Sequence, residues 1–156
     1  MLFKNVLVPY DESEHARSAL HVALGMVGDD GDARVHVVSV VSVGAVSAPS
    51  LSGGAFDDPY AMGGFDYDAM MGALVQRMRT DMERVIADAR DGAVCRVDVN
   101  AVVAPSAVEG IADYVESHGI DLVVMGRRGL GALRGMLGSV SFGVLRSVDV
   151  PVLTVK

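Results

Sequence analysis

Residues 122–139 read LVVMGRRGLGALRGMLGS, a strand, a loop and a helix start in succession. The first four residues are wholly apolar, which is typical of a buried strand. The strand runs into a glycine-rich basic loop, and the loop closes on Gly138-Ser139 at the head of a predicted helix. Glycines let the backbone approach a ligand, N–H groups at a helix start point outward, and arginines supply charge. This stretch therefore predicts an anion site, with phosphate as the obvious ligand.

Charge is distributed unevenly over the 156 residues, whose formal net charge is −7. The last 38 residues carry a net +3, so the first 118 carry −10. The acidic balance argues against sequence-independent binding of nucleic acid and against docking on anionic membrane, both of which need clustered positive charge. The basic cluster coincides with the glycine-rich loop and favours the phosphate interpretation, although arginines that merely coat a surface would give the same local charge.

Apolar, β-branched segments alternate with segments of helical period along the chain. The predicted strands are Phe3–Val8, Val35–Val43, Val94–Val103, Ile120–Met125 and Val150–Val155, and the helical faces span Ala16–Val27, Met71–Ala89, Val108–Val115 and Val140–Val148. A capping box at Ser106-Ala107-Val108-Glu109 marks the clearest helix start. The alternation predicts an α/β fold, a five-stranded parallel sheet of order 3-2-1-4-5 with four helices on both faces.

We expect a single domain over residues 1–156, with a long flexible loop at 44–65 that is rich in Gly, Ser, Ala and Pro. A loop of this length is either functional or mobile, so it either covers a ligand as a lid or is disordered. The single cysteine, Cys95, excludes an intrachain disulfide and is predicted to be a core residue in the third strand. The absence of a visible signal peptide or long apolar span predicts a cytoplasmic protein.

The predicted strand order also places a ligand. Doubly wound sheets bind ligands at the carboxyl ends of their strands, where the strand order reverses. Here that crevice lies between strands 1 and 4, so Asp11 and the loop after Gly126 are expected to face each other. A carboxylate at this place accepts hydrogen bonds from ribose hydroxyls, or holds a metal that bridges phosphates.

Several familiar chemistries are excluded. No Gly-Lys-Ser/Thr occurs, so the loop is not a P-loop, and the turn at residues 10–14 lacks the glycines of an NAD fingerprint. The histidines at 15, 21, 36 and 118 have no metal-ligand spacing and are expected at the surface or at helix ends. Ser139 and Ser141 have no nucleophile elbow around them and are interpreted as helix caps or phosphate donors. We assign no catalytic residue.

Four segments resemble the universal stress protein family, and together they cover nearly the whole chain. Residues 4–15 (KNVLVPYDESEH) are similar to the family's opening strand and its P-x-D-x-S-E turn. Residues 121–126 (DLVVMG) resemble its D-L-(I/V)-V-M-G strand, residues 138–141 (GSVS) its G-S-V-(S/T), and residues 150–155 (VPVLTV) its closing strand.

The resemblance implies a Rossmann-like fold of the adenine nucleotide alpha hydrolase type, a role in the stress response and a homodimer formed through the last strand. One branch of the family binds ATP through G-x2-G-x9-G-(S/T), and this chain carries those glycines. The match implies that Val40 pairs its backbone with adenine, that Asp11 serves the ribose or Mg or Mn, and that residues 138–141 cradle the phosphates. With the two loop arginines, the predicted nucleotide site comprises Pro9, Tyr10, Asp11, Val40, Gly126, Arg127, Arg128, Gly129, Gly138, Ser139, Val140 and Ser141.

The closing strand has a physical reason of its own to pair with a second chain. It is predicted at the sheet edge, it is apolar, and it carries no internal charge, which are features that invite strand pairing. The predicted dimer edge comprises Val150, Val152, Leu153, Thr154 and Val155.

Two departures from the family pattern bear on the ligand. Only eight residues separate Gly129 from Gly138, so the loop is one residue short, and Ala104 stands where the family often has glycine. We predict a nucleotide-binding stress-response protein that takes ATP, or ADP or AMP. The alternatives are a nucleotide-free dimeric interaction protein, and a slow ATPase that would use the charge of Arg127 and Arg128 but lacks an obvious general base.

Overall fold

A computed structural model describes residues 2–42, 67–129 and 137–156. The predicted loop at 44–65 and the middle of the basic loop lie outside these ranges. None of the described helices is both long and apolar enough to cross a membrane. The elements, in chain order, are β1 Asn5–Pro9, α1 Glu14–Val27, β2 Arg34–Ser42, α2 Tyr67–Ala89, β3 Arg96–Ala104, α3 Ala107–Ser117, β4 Leu122–Gly126, α4 Ser139–Ser147 and β5 Val152–Val155.

The strands form one parallel sheet of order β3-β2-β1-β4-β5, which confirms the predicted fold. The register pairs Val6 with Leu122 across β1 and β4. The carboxylate of Asp121 holds the start of this pair, because it accepts from the backbone N–H groups of Lys4 at 2.8 Å and Asn5 at 3.1 Å. The aspartate that opens the DLVVMG segment therefore has a structural role at the amino end of the sheet.

The strand prediction was wrong for Cys95, which precedes β3. The N–H groups of Val94 and Cys95 both donate to the carbonyl of Gly28, at 2.7 and 2.9 Å, so this segment is bound to the end of α1 instead of to β2. Cys95 is nevertheless buried, as expected of a core residue.

Two apolar layers cover the sheet, one on each face. Helices α1 and α2 pack against one face, and α3 and α4 pack against the other. The strands supply alternate residues to the two layers, because successive side chains of a strand point to opposite faces. Thus Val6 and Val8 of β1 lie in the first layer, whereas Leu7 lies in the second.

The helices differ in how their first turns are capped. Ser13 begins α1 by accepting from the N–H of Ala16 at 3.1 Å, and Ser106 begins α3 by accepting from the N–H of Glu109 at 3.2 Å. The predicted capping box thus marks the start of α3, with the Ser106 hydroxyl also donating to the Glu109 carboxylate at 2.9 Å. Helix α4 instead begins at Gly138, which offers no side chain as a cap.

Candidate functional site

A cleft of about 590 Å³ lies at the carboxyl ends of β1, β2 and β4. Strand order reverses at this point, because β1 is flanked by β2 on one side and by β4 on the other. The volume lies within the range of small-molecule sites. The cleft is lined by Pro9, Tyr10, Asp11, Ala16, Val38, Ser39, Val40, Ala107, Ile111, Met125, Gly126, Arg128, Gly129, Leu137, Gly138, Ser139, Val140 and Ser141.

The first turn of α4 opens into this cleft without a cap. Gly138 is the N-cap residue, with extended φ and ψ of −65° and 153°, and among the described residues no side chain caps the N–H groups that follow it. Ser139, Val140 and Ser141 form the turn and line the cleft. The N–H groups of a first turn have no partner inside the helix and carry its positive dipole end. This helix start is therefore suited to an anion.

Short hydrogen bonds fix the uncapped turn to the end of β4. The N–H of Gly138 donates to the carbonyl of Arg127 at 2.9 Å. The hydroxyl of Ser141, which is only 2% exposed, lies 3.0 Å from the carbonyl of Gly126 and 3.2 Å from that of Arg127. The hydroxyl of Ser141 therefore ties the first turn of α4 to the end of β4. Its role as a helix cap or phosphate donor stays a prediction.

Asp11 and Gly129 both line the cleft and lie in contact with each other. The carboxylate of Asp11 accepts from the N–H of Ser13 at 3.1 Å, and the intervening Glu12 has a left-handed φ of 65°. A Cβ added at Gly129 would lie 2.5 Å from Oδ2 of Asp11. The structure thus brings together the carboxylate and the loop glycine that the strand order predicts to face each other.

Gly126 has a packing role that the sequence did not reveal. A Cβ at this position would lie 2.8 Å from Cβ of His15 and 2.9 Å from its carbonyl carbon. The first turn of α1 therefore crosses directly over the end of β4, and the absence of a side chain there is required whether or not a ligand is bound.

The end of β2 offers backbone groups to the cleft. The last pair between β1 and β2 is Pro9 with Val38, and the N–H of Tyr10 donates to the carbonyl of Val38 at 2.8 Å. The N–H and C=O of one strand residue point to the same side, and the side alternates along the strand. The backbone groups of Val40 therefore point to the side that β1 no longer occupies, and they supply one donor and one acceptor.

The two loop arginines are placed differently. Arg128 lines the cleft, whereas Arg127 does not. The backbone N–H of Arg127 donates to the carbonyl of Val155 at 2.7 Å, which makes this residue part of the β4–β5 edge. The charge predicted for the anion site thus reaches the cleft from Arg128.

One wall of the cleft was not predicted from the sequence. Ala107 and Ile111 of α3, together with Val38 and Met125, form an apolar side to the cleft. The topology could have predicted this wall, because α3 starts directly after β3, at the same edge of the sheet. Ala104, which stands where the family often has glycine, packs against Gly110 of α3, where an added Cβ would lie 2.7 Å from Cγ1 of Val40 and 2.9 Å from the Ala104 methyl group.

Asp11 is the only carboxylate among the described residues that line the cleft. Over the same described ranges, no group of three or more His, Cys, Asp or Glu is arranged to hold a metal ion. A metal at Asp11 would therefore take most of its ligands from a bound nucleotide or from water.

The expectation of surface or helix-end positions was wrong for His36. His118 does lie at the C-cap of α3, but His36 lies within β2 and is 3% exposed. Its Nδ1 is 3.1 Å from the hydroxyl of Tyr114. The alternation of β2 directs this side chain toward α3, where a polar partner makes its burial possible.

The predicted dimer edge lies at the outside of the sheet. Strand β5 has β4 on one side and no described strand on the other, and Val150 precedes it. Large apolar side chains are exposed in this part of the chain, namely Phe142 at 54%, Leu145 at 43% and Leu153 at 37%.

Comparison with known proteins agrees with this architecture. A sequence model of the Universal stress protein family matches residues 2–156. The chain belongs to the universal stress protein family. It is 32% identical over 158 residues to a universal stress protein of Thermus aquaticus, with 99% of this chain and 100% of that protein covered. It is also 28% identical over 159 residues to universal stress protein MJ0577 of Methanocaldococcus jannaschii, with 100% of this chain and 96% of that protein covered.

Solved structures of the family share the fold. The MJ0577 structure superposes with a TM-score of 0.75 over 100% of this chain and 97% of that one, at 24% identity. A universal stress protein in complex with cAMP gives a TM-score of 0.62 at 20% identity, covering 99% of this chain and 98% of that one. The Archaeoglobus fulgidus protein in complex with dAMP gives 0.61 at 20% identity, with both chains fully covered.

Proposed function

We propose that this universal stress protein binds an adenine nucleotide in the cleft and acts as a homodimeric regulator of the stress response. One observation carries the proposal: the first turn of α4 begins at a glycine, which supplies no side-chain cap, and opens into a cleft that Asp11 also lines. Helix α4 thus presents unpaired N–H donors where α1 and α3 use a serine. A phosphate is the ligand that such a helix start recognises.

The remaining groups suit the rest of a nucleotide. The backbone N–H and C=O of Val40 match the donor and acceptor on one edge of adenine. The apolar wall, Pro9 and Tyr10 would surround the base. The carboxylate of Asp11 accepts from ribose hydroxyls. Arg128 adds positive charge near the phosphates. The cAMP and dAMP complexes of two family members support an adenine nucleotide as the class of ligand.

The shortened loop bears on which nucleotide binds best. Eight residues join Gly129 to Gly138, and both ends of this connection line the cleft. The N–H groups of α4 bind the phosphate that lies nearest to them, whereas loop residues would have to reach any phosphate farther along. We therefore propose ATP, ADP and AMP as ligands, and the measured order of affinities reports how far the shorter loop reaches.

A regulator fits the cleft better than an ATPase does. Hydrolysis requires a group that orients the attacking water. Among the described lining residues, Asp11 is the only carboxylate and no histidine is present. We therefore propose that nucleotide occupancy, and not turnover, is the functional event, with residues 1–156 acting as one domain.

A dimer through β5 is supported by the exposed apolar side chains of Phe142, Leu145 and Leu153. An edge strand with such neighbours favours pairing with a second copy. The same observation supports the second candidate function, a dimeric interaction protein that works without nucleotide. Light scattering of the wild type and of Leu153→Lys distinguishes a dimer from a monomer.

Isothermal titration calorimetry on freshly desalted protein tests nucleotide binding. ATP, ADP and AMP are titrated with and without magnesium, and GTP serves as the base control. We expect saturable binding of at least one adenine nucleotide, weaker binding of GTP, and no release of inorganic phosphate above the buffer rate. No heat of binding at millimolar adenine nucleotide, with a dimer still present, would support the nucleotide-free alternative.

A further inference from the structure

A second cleft, of about 410 Å³, lies at the other end of α3. The amino half of α3 borders the nucleotide cleft, whereas its end, with Tyr114 and His118, borders this one. The remaining walls come from the first half of β2, from β3 and from α2. Strand β3 is the edge strand on this side of the sheet, so the second cleft opens at an edge remote from β5.

A chain of hydrogen bonds favours the tautomer of His36 that carries its proton on Nε2. The amide nitrogen of Asn100 donates to the Tyr114 oxygen at 3.1 Å. Within the described residues, the only acceptor given for the Tyr114 hydroxyl proton is Nδ1 of His36, at 3.1 Å. A neutral imidazole that accepts at Nδ1 has its proton on Nε2. His36 therefore presents an Nε2–H donor.

That donor is buried and lacks a partner within the described part of the chain. Nε2 of His36 is inaccessible to solvent and has no acceptor among the described residues. Burial, the largest influence, lowers the pKa of His36 below its ordinary value, so the ring remains a neutral donor near pH 7. A buried N–H without an acceptor costs free energy, which an acceptor placed in the cleft would recover.

The charged groups of the cleft leave an excess of positive charge. Arg34 pairs through Nε with Asp98 at 3.4 Å, and Arg79 pairs through Nε with Glu83 at 3.3 Å. A guanidinium carries five N–H donors, so a pair with one carboxylate leaves donors for a further acceptor. Arg90 also lines the cleft and has no carboxylate within ion-pair distance in the described ranges. Three arginines thus face two carboxylates.

We propose that the second cleft binds a small oxyanion, a carboxylate or phosphate group, held by the guanidinium groups of Arg34 and Arg90. Because Nε2 of His36 is shielded in the ligand-free structure, the ring turns toward the cleft on binding so that Nε2–H donates to the oxyanion. An oxyanion satisfies both features at once, because it accepts hydrogen bonds and neutralises the surplus positive charge. The stacked rings of Tyr114 and His118, with centroids 3.7 Å apart, hold the inner end of the cleft in place.

Nuclear magnetic resonance of the full chain tests the proposal, with the imidazole nitrogens of His36 as the reporter. Inorganic phosphate and acetate are titrated separately at constant ionic strength, with chloride as the balancing anion. We expect an Nε2–H tautomer in the free protein and a saturable shift of that nitrogen with one or both anions. Since the reporter is local, anion binding at the α4 cleft does not produce this signal.

Arginine variants decide whether the shift reports a site. Arg34→Gln and Arg90→Gln should each weaken binding about tenfold or more, the loss expected from one charge-assisted hydrogen bond. Arg84→Gln is the control, because Arg84 is an exposed arginine of helix α2 that does not line the cleft, and the affinity of this variant should equal that of the wild type. A shift that chloride reproduces, that does not saturate, or that survives both cleft variants would overturn the proposal.

Discussion

The carboxylate of Asp11 lies directly against the backbone of Gly129, so that a methyl group added at residue 129 would come 2.5 Å from Oδ2 of Asp11. The two residues lie 118 positions apart in sequence and come from opposite sides of the strand-order reversal. Their contact makes the position of the carboxylate depend on the absence of a side chain in the loop.

Gly129→Ala is expected to displace the Asp11 carboxylate and to weaken adenine nucleotide binding about tenfold, the effect of losing one charge-assisted hydrogen bond. Because both residues are exposed, the free energy of unfolding should change by less than about 0.5 kcal/mol. Calorimetry and urea denaturation measure the two effects. Gly25→Ala is the control, since nothing lies within 4 Å of the added methyl group in α1. It should leave affinity unchanged and stabilise the helix by roughly 0.5–1 kcal/mol.

Gly126→Ala is expected to destabilise the fold even in the absence of nucleotide. The added methyl group would lie 2.8 Å from Cβ of His15 and 2.9 Å from its carbonyl carbon, so α1 must shift away from β4. Overpacking of this kind costs about 1–3 kcal/mol. Urea denaturation of the nucleotide-free protein measures this loss, and unchanged stability would show that α1 does not pack closely on Gly126.

Gly138→Asp should separate stability from binding. Aspartate is a favourable N-cap residue, and its carboxylate would accept from the same first-turn N–H groups of α4 that we assign to phosphate. We expect the variant to retain its fold, with stability within about 1 kcal/mol of the wild type. Nucleotide affinity should fall by more than tenfold, through competition for the donors and repulsion of the phosphate. Calorimetry that finds wild-type affinity would remove α4 from the site.

The buried His36 predicts a pH dependence of stability. Burial is the main cause that lowers the pKa of His36 in the folded protein; Arg34 and His118 act in the same direction, and Asp98 opposes them. As pH falls below the ordinary value of 6.5, the unfolded chain binds a proton at this ring while the folded chain does not. The free energy of unfolding should therefore decrease as the pH is lowered below about 6.5, and it should level off once the pH is below the pKa of His36 in the folded protein.

Urea denaturation between pH 7.5 and 5.0 measures this dependence. His36→Gln should flatten the slope in that window, because no titrating ring remains at this position. His21→Gln, which changes an exposed histidine of α1, should keep the slope of the wild type. Equal slopes in all three proteins would show that His36 does not bind protons differently in the two states.

Several features of the fold and the site could be predicted from the sequence. The strand order, the helix start at Ser106 and the meeting of Asp11 with Gly129 all followed from periodicity, capping chemistry and the topology of parallel sheets. These features depend on local patterns or on a rule that holds for a whole class of folds. They could therefore be predicted without coordinates.

Other features depended on contacts between distant segments. Gly126 is required by the path of α1 over β4, and the Ser141 hydroxyl is used by carbonyls 14 and 15 residues earlier. Burial of His36 requires Tyr114, which lies 78 residues away on another element. No local pattern specifies such pairs, so the sequence predicted a surface position for His36 and did not reveal the hydrogen bonds of the Ser141 hydroxyl.

The uncapped first turn of α4 has a consequence for the cell. A ligand that binds the folded protein and not the unfolded chain raises the free energy of unfolding, so a nucleotide held by the N–H donors of this turn would stabilise the fold. The melting temperature should then rise with the concentration of the nucleotide, so the lifetime of the protein would follow the energy supply of the cell. The proposed nucleotide site would in this way couple the abundance of the protein to the concentration of its ligand.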